Sequence, residues 1–393
     1  LKKKVLFVMN NMRCGGAEKA LISLLETIDY SAYEVDLFLF QHDGLFMSQI
    51  PQAVRLLEEP PQFQYFDMSV RAAIMDCMQK GQWHIALWRG LAGMIFKSEK
   101  NRVRCEQRVW KYISKSLTSI DQTYDIAVGY LEKNPIYFCI DKVRAHKKIG
   151  FIHNDYDKLG MDPDLDAAYF EKLDHLVTVS DECGRVLKQR FPLYERKIHV
   201  VHNIVSPSAI HKLSLKPSGW SEQHIKLVSV GRLNHQKGFE MAVEACKELV
   251  QGGYPVKWYL IGEGEERGRL EQMIAANGLQ EVFVLMGLQE NPYPFIKEAD
   301  IYVQPSRFEG KSIAVDEAKI LNKPIVVTNF STAKDQIRHK ENGLIAEMTP
   351  SSIAAAIRTL IDDEVLRSRL SLNLSKEKLG TEAEIRKLYE LFA

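Results

Sequence analysis

Short apolar runs alternate along this chain with longer stretches in which apolar positions recur every three or four residues. Val5–Met9, Val35–Phe40, Ile126–Val128, Ile149–Ile152, Leu176–Val179 and Ile198–Val201 are continuous apolar runs of strand length. A second series follows at Leu227–Val230, Trp258–Ile261, Val282–Leu285, Ile301–Val303 and Ile325–Val327. Strands buried on both faces read this way, whereas a sheet with one wet face alternates polar and apolar. Between the runs the spacing is helical: Ala17, Leu21, Leu24, Leu25 and Ile28 fall on one face of a helix. This alternation predicts parallel sheets covered by helices, an α/β fold of two Rossmann-like domains.

The two strand series are separated by Asn203–His224, which holds Pro207, Pro217 and Gly219 and shows no clear period. The expected organisation is a first domain over 1–203, a linker over 204–224, a second domain over 225–378 and a final helix over 379–393. That last helix opens with Thr381-x-x-Glu384, the pattern of a capping box. Its stripe of Ile385, Leu388, Tyr389 and Phe392 suits packing back onto the first domain.

Composition narrows the function classes. The 393 residues carry 52 Lys+Arg and 51 Asp+Glu. That balance speaks against a dedicated nucleic-acid binder, which needs a basic excess. None of the six cysteines forms a C-x-x-C pair, and scattered thiols fit a reducing compartment. Lys2-Lys3-Lys4 is followed by only Val5–Met9, short of the about 7–15 apolar residues of a secretory leader. No run reaches the roughly 18–20 apolar residues of a spanning helix. The expected place is the cytoplasm, at most peripheral on the inner face of the membrane.

Four segments carry candidate chemistry. The strongest follows Ile301–Val303 and runs Gln304-Pro-Ser-Arg-Phe-Glu309-Gly310-Lys311-Ser312-Ile313, with Glu317 two turns into the following helix. Ligands of open α/β sheets sit at the carboxyl ends of strands. A helix N-terminus there offers free N–H groups and a positive dipole end to a diphosphate. Glu309 lies in the turn. Glu317 shares an apolar face with Ala314, Ala318 and Leu321, so it needs partners, and ribose hydroxyls would suit it. The second segment, Gly231-Arg232 to Lys237-Gly238, sets two cations in a glycine-flanked loop after a strand, suited to neutralising phosphate. The third, Asn10 to Glu18, holds Gly15-Gly16, where a backbone can approach a ligand closely; its spacing fails the dinucleotide fingerprint. The fourth places His153 after the Ile149–Ile152 run, where it suits holding a sugar or moving a proton.

No metal-ligand cluster is spaced for use. Asp162-Pro-Asp164 reads as a helix start with acidic first-turn residues. Arg104, Arg108, Lys111 and Lys115 lie on one helical face, and 94–117 holds seven basic against two acidic residues. With Trp83, Leu87, Trp88 and Leu91 just upstream, that stripe suits an anionic membrane surface.

In this order the four segments resemble the retaining GT-B glycosyltransferases of the family 4 type, most specifically over Val228–Val327. The resemblance implies two Rossmann-like domains facing across a cleft, with the acceptor bound by the first. It implies donor contacts from Gly15, Gly16, Arg232, Lys237, Gly310, Lys311, Ser312 and Ile313. It also implies Glu309 at the donor sugar, Glu317 at the ribose and Leu288 as a backbone contact to the base. His153, Arg232, Lys237 and Glu309 are the expected catalytic residues. Many members carry Phe-Pro or similar where this chain has Lys311-Ser312. The implied donor is a nucleoside-diphosphate sugar, foremost a UDP-sugar, with neither cofactor nor metal. The implied acceptor is a carbohydrate or lipid-linked intermediate of surface polysaccharide or glycolipid synthesis, with protein and teichoic-acid glycosylation as the alternative. A sugar-nucleotide epimerase can share the architecture, and would turn over its donor without an acceptor.

Overall fold

The computed structural model describes residues 2–13, 15–220 and 224–393. The chain forms two compact units, one of residues 1–13, 24–202 and 385–393, the other of residues 14–23 and 203–384.

The first unit holds a seven-stranded sheet of β1 (Lys3–Met9), β2 (Tyr33–Leu39), β3 (Arg55–Leu56), β4 (Thr123–Gly129), β5 (Arg144–Ile152), β6 (His175–Thr178) and β7 (Ile198–Val200). All neighbours are parallel, in the order β3-β2-β1-β4-β5-β6-β7. β1 is apolar throughout Val5–Met9 because both its faces are covered, and those five residues are fully buried. Aromatic rings fill the space beside the sheet: Phe38 stacks on Phe138 at 4.4 Å, and Phe40 meets Phe138 edge-on at 5.3 Å. Between β3 and β4 the helices Val70–Gln79, Trp83–Ser98 and Arg102–Ser116 pack each on the next. Trp110 anchors the last of them, buried and donating Nε1–H to Asp141 at 2.8 Å.

The second unit holds β8 (Ile225–Val230), β9 (Val256–Ile261), β10 (Phe283–Gly287), β11 (Ile301–Gln304), β12 (Ile325–Thr328) and β13 (Leu344–Ala346). They form one parallel sheet in the order β10-β9-β8-β11-β12-β13. Its core is built on Trp258, Phe239, Leu260, Val303 and Ile357. The buried Trp258 indole donates to Ser229 at 3.0 Å, and Ser229 in turn donates to the Val303 carbonyl at 2.6 Å. That chain ties β9, β8 and β11 together. Two all-parallel sheets of this kind are the Rossmann-like pair that the apolar runs predict.

Local departures from the sequence reading have physical causes. β3 is two residues long and both are exposed, so it leaves no apolar run. The stretch read as a linker contains the helix Pro207–Leu213, opened by a proline at its first position, where the missing N–H costs nothing. The Thr381 hydroxyl accepts from Val205 N–H at 2.8 Å and donates to the Asn203 carbonyl at 2.7 Å, tying the segment before the last helix to the stretch read as a linker. The final helix is Ile385–Phe392. Tyr389 stacks on Tyr33 at 5.1 Å, and its hydroxyl accepts from Asp29 N–H at 2.7 Å. Among the described residues no helix is long and apolar enough to cross a membrane.

Candidate active site

In the second sheet the chain starts at β8, builds outward to β10, then returns to place β11 on the other side of β8. The order therefore reverses between β8 and β11, and the loops leaving their carboxyl ends part there. Ligands of open α/β sheets bind at such a point. The loop after β8 carries Gly231 to Gly238, and the loop after β11 carries Pro305 to Ser312.

Glu309 sits where these loops meet and is only 5% exposed. Its Oε1 accepts from Lys237 Nζ at 2.6 Å and from Ser306 Oγ at 2.6 Å. Ser306 receives from Gln304 at 2.9 Å, and Gln304 receives from the buried Tyr302 hydroxyl at 2.6 Å. The carboxylate thus ends a relay rising from β11, and Thr332 fixes its backbone by donating to the Glu309 carbonyl at 3.0 Å. Lys237 is delivered by a short turn capped by Asn234, whose side chain accepts Lys237 N–H at 3.2 Å. Gly238 then takes φ +63° with its α-carbon facing the Pro305 carbonyl, where a Cβ would lie 2.3 Å from that oxygen. Only glycine lets the two loops approach this closely.

Glu317 is also buried, and its partners answer the cost of a carboxylate on an apolar face. Lys19 forms an ion pair with it, and the Tyr293 hydroxyl donates to it at 2.9 Å. Lys19 Nζ also lies 4.5 Å above the Tyr293 ring. Burial works against the Lys19 ammonium, but Glu317 and Tyr293 outweigh it and hold its pKa above the ordinary lysine value. The neighbouring Glu18 pairs with Arg232 at 3.0 Å. A Cβ on Gly15 would lie 2.2 Å from the Glu18 carboxylate and 2.7 Å from Arg232, so this position accepts no side chain without displacing that pair. Gly16 has only an Ile313 methyl at 4.0 Å and is under no such demand. Lys19, Glu18 and Tyr293 were not singled out as ligand-site residues in the sequence. The adjacent opposite charges of Glu18-Lys19, one helical turn after paired glycines, are the one local signal that pointed to them.

The helix Ile313–Ile320 begins where the sequence places it, but its entry is partly occupied. Gln336 accepts Ser312 N–H at 2.9 Å and donates back to the Ser312 carbonyl and to Asp316, both at 2.8 Å. The Ser312 N–H is therefore not a free donor for an anion, a correction to the reading of this turn. The Ser312 hydroxyl differs: it is buried and has no hydrogen-bond partner among the described residues. Lys311 lies 3.6 Å from Asp316 and is largely covered. Leu288 follows the positive-φ Gly287 and is 42% exposed.

In the first unit His153 follows β5 and is buried against Tyr130 and Phe151, with ring centroids 4.9 and 5.7 Å away. Burial lowers its pKa to about 4, with Glu132 and the Tyr130 carbonyl pulling the other way. The imidazole is neutral at pH 7, and its Nε2 is a buried atom with no partner among the described residues. The buried Glu132 accepts the His153 N–H at 3.2 Å and the Asn154 amide at 3.1 Å. The basic stripe of the Arg102–Ser116 helix is partly spent internally. Arg108 pairs with Glu99 at 2.9 Å and Asp162 at 3.7 Å, and Arg104 donates to the Gly160 carbonyl at 3.3 Å. Lys111 and Lys115 remain exposed. Asp162 caps the helix Pro163–Phe170 by accepting Asp164 N–H at 3.2 Å.

Residues 212–377 match the family model described as glycosyl transferases group 1. The amylovoran biosynthesis glycosyltransferase AmsK of Erwinia amylovora is 31% identical over 169 residues, 41% of each chain. The matches span about two-fifths of the length of the first curated relatives. Two solved structures share the fold over nearly the whole chain. One is a mutant of S. aureus TarM in complex with fondaparinux, alpha-GlcNAc-glycerol and UDP, with TM-score 0.68, 14% identity and 99% of both chains covered. The other is Anabaena Alr3699/HepE with UDP and glucose, with TM-score 0.68, 16% identity and 99% of this chain and 98% of that one covered.

Proposed function

We propose, on the premise that residues 212–377 belong to the group 1 glycosyl transferases, that this chain moves a sugar from a nucleoside diphosphate to an acceptor hydroxyl. The observation that carries the reading is the pairing of Lys237 with a buried Glu309 at the reversal point of the second sheet. A carboxylate beside a cation there can orient sugar hydroxyls while the cation takes up phosphate charge. UDP is the preferred carrier, supported by the UDP bound to TarM and HepE.

In this mechanism the donor diphosphate draws Lys237 and Arg232 toward its oxygens, and the partnerless Ser312 hydroxyl donates to one of them. The glycosidic C–O bond to the diphosphate breaks, and these groups stabilise the charge that develops on the departing oxygen. Glu309 accepts from the donor sugar, and Glu317, positioned by Lys19, accepts from the ribose. The acceptor oxygen forms the new bond on the face the diphosphate leaves, and its proton passes to the leaving phosphate. Configuration is thereby retained, and the positive charge the step needs comes from side chains without a metal. His153, neutral and with a buried Nε2 that finds no partner among the described residues, is the first unit's candidate for holding a sugar or moving a proton. The acceptor is a carbohydrate or lipid-linked intermediate of surface polysaccharide synthesis; poly(ribitol-phosphate) chemistry is the second reading, supported by the S. aureus poly(ribitol-phosphate) α-N-acetylglucosaminyltransferase relative, 25% identical over 197 residues.

The test is UDP release from UDP-sugars with and without candidate acceptors. Acceptor-dependent release that Lys237→Ala abolishes supports the reading. Interconversion of the donor sugar without acceptor would assign an epimerase instead.

A further inference from the structure

The helix Trp83–Ser98 turns one face inward, burying Ile85, Ala86, Arg89, Ala92 and Gly93. Its opposite face is apolar and uncovered. Trp83 is 62% exposed, Leu87 58% and Met94 61%, and their spacing with Gly90 sets them in one stripe. The single charged residue between Trp83 and Phe96 is Arg89. Arg89 is buried, donating to the Tyr65 and Met68 carbonyls at 2.7 Å each. An outward face that carries no charge from Trp83 to Phe96 belongs against something other than water. The preceding helix adds exposed Met75 and Met78 in a stripe with Arg71. Lys97 and Lys100 frame the other end, and none of Arg71, Lys97 and Lys100 forms an ion pair among the described residues. Trp88, by contrast, is taken: Lys115 lies 4.3 Å over its ring.

We propose that this face, rather than the Arg104–Lys115 stripe, docks the chain on an anionic bilayer. Trp83, Leu87 and Met94 enter the boundary between headgroups and acyl chains, and Arg71, Lys97 and Lys100 meet the headgroup charge. Residues 70–117 hold ten Lys and Arg against three Asp and Glu, in a chain whose net charge is +1. A second copy is the poorer occupant, because a two-fold contact on this face would set the same cations against each other. Arg104 and Arg108 are already bound to acceptors of their own chain, so the face they share is the weaker lipid contact. The inference extends the lipid-linked acceptor reading, and its test reads vesicle binding apart from donor binding.

The experiment is flotation of the full chain with vesicles of phosphatidylglycerol and phosphatidylcholine, or of phosphatidylcholine alone, with tryptophan emission recorded in parallel. Binding to the anionic vesicles with a blue shift that Trp83→Phe removes is expected. Leu87→Ser/Met94→Ser, altering exposed side chains, lowers partitioning by about a hundredfold. Lys97→Glu/Lys100→Glu lowers it by more than about tenfold. The thermal shift given by UDP stays unchanged in all of them. Three results overturn the proposal: no binding to anionic vesicles, undiminished binding by the Leu87/Met94 variant, or a dimer in light scattering that this variant dissociates.

Discussion

Replacing Lys19 by Met would test whether Glu317 is held by a charge that lies nearly three hundred positions away in the chain. The Glu317 side chain is 3% exposed and that of Lys19 is 23% exposed. Lys19→Met keeps most of the side-chain volume and removes the charge. Breaking a buried pair from one side leaves the other charge uncompensated, at a cost of about 3–5 kcal/mol. The Tyr293 hydroxyl, 2.9 Å from Glu317, still donates in the variant and places the expected loss at the low end, about 3 kcal/mol. With a urea m-value of about 2–3 kcal/mol/M, the midpoint should fall by roughly 1–1.5 M. Adding Glu317→Gln to the variant removes the stranded charge and should recover all but about 1 kcal/mol, giving a large coupling in the double-mutant cycle. Urea unfolding followed by fluorescence and far-UV circular dichroism measures all four proteins. If Lys19→Met unfolds within about 0.5 kcal/mol of the wild type, or if the two effects simply add, Glu317 does not depend on Lys19 and the reasoning fails.

Other outcomes follow from the same geometry. Lys237→Ala should lower donor turnover by about a hundredfold or more, read as UDP release, because it removes charge where the leaving group forms. Glu309→Gln should also lower turnover, and because it leaves the largely covered Lys237 without its counter-charge it should lower stability as well, even though the amide still accepts from Ser306. Asp166 is fully buried among Tyr137, Tyr156 and Gln107, and burial raises its pKa to about 6. The native state then holds a proton that the unfolded state has lost between about pH 4 and 6, so this stabilisation is present at low pH and disappears as pH rises through 6. The difference is about 3 kcal/mol, and Asp166→Asn should flatten that part of the stability profile. His153, lowered to about 4, behaves oppositely: its contribution is present above the unfolded value near 6.5 and is lost as pH falls through 4. Its ring resonance in NMR should stay that of a neutral imidazole from pH 8 down to 5.

Much of this was legible in the chain because burial on both faces of a sheet writes itself as uninterrupted apolar runs. Val5–Met9 and Ile301–Val303 are such runs, and the turns that follow them hold the candidate site. The helix start at Ile313 was likewise visible. The partners of the two glutamates were less so. Glu317 reads as a buried carboxylate in want of company, but nothing local names Lys19 or Tyr293. The free N–H expected at Ser312 is taken by Gln336, a residue 24 positions on with no motif of its own. Trp83 and Leu87 read as apolar company for the basic stripe downstream; which of that group stand exposed depends on Ile85 and Arg89 turning inward, which nothing local dictates.

The measurement that bears most directly on a sugar-nucleotide site is a thermal-shift titration with UDP, GDP, ADP and NAD in the presence of EDTA, run on the wild type and on Lys237→Ala. A nucleotide at about 100 times its dissociation constant adds roughly 2.7 kcal/mol of stability. A selective shift with UDP, undiminished by EDTA and weakened in the variant, is the expected result. No shift with any diphosphate, or a shift with NAD alone, would contradict the assignment of Lys237, Glu309 and Glu317 to a nucleotide-sugar donor.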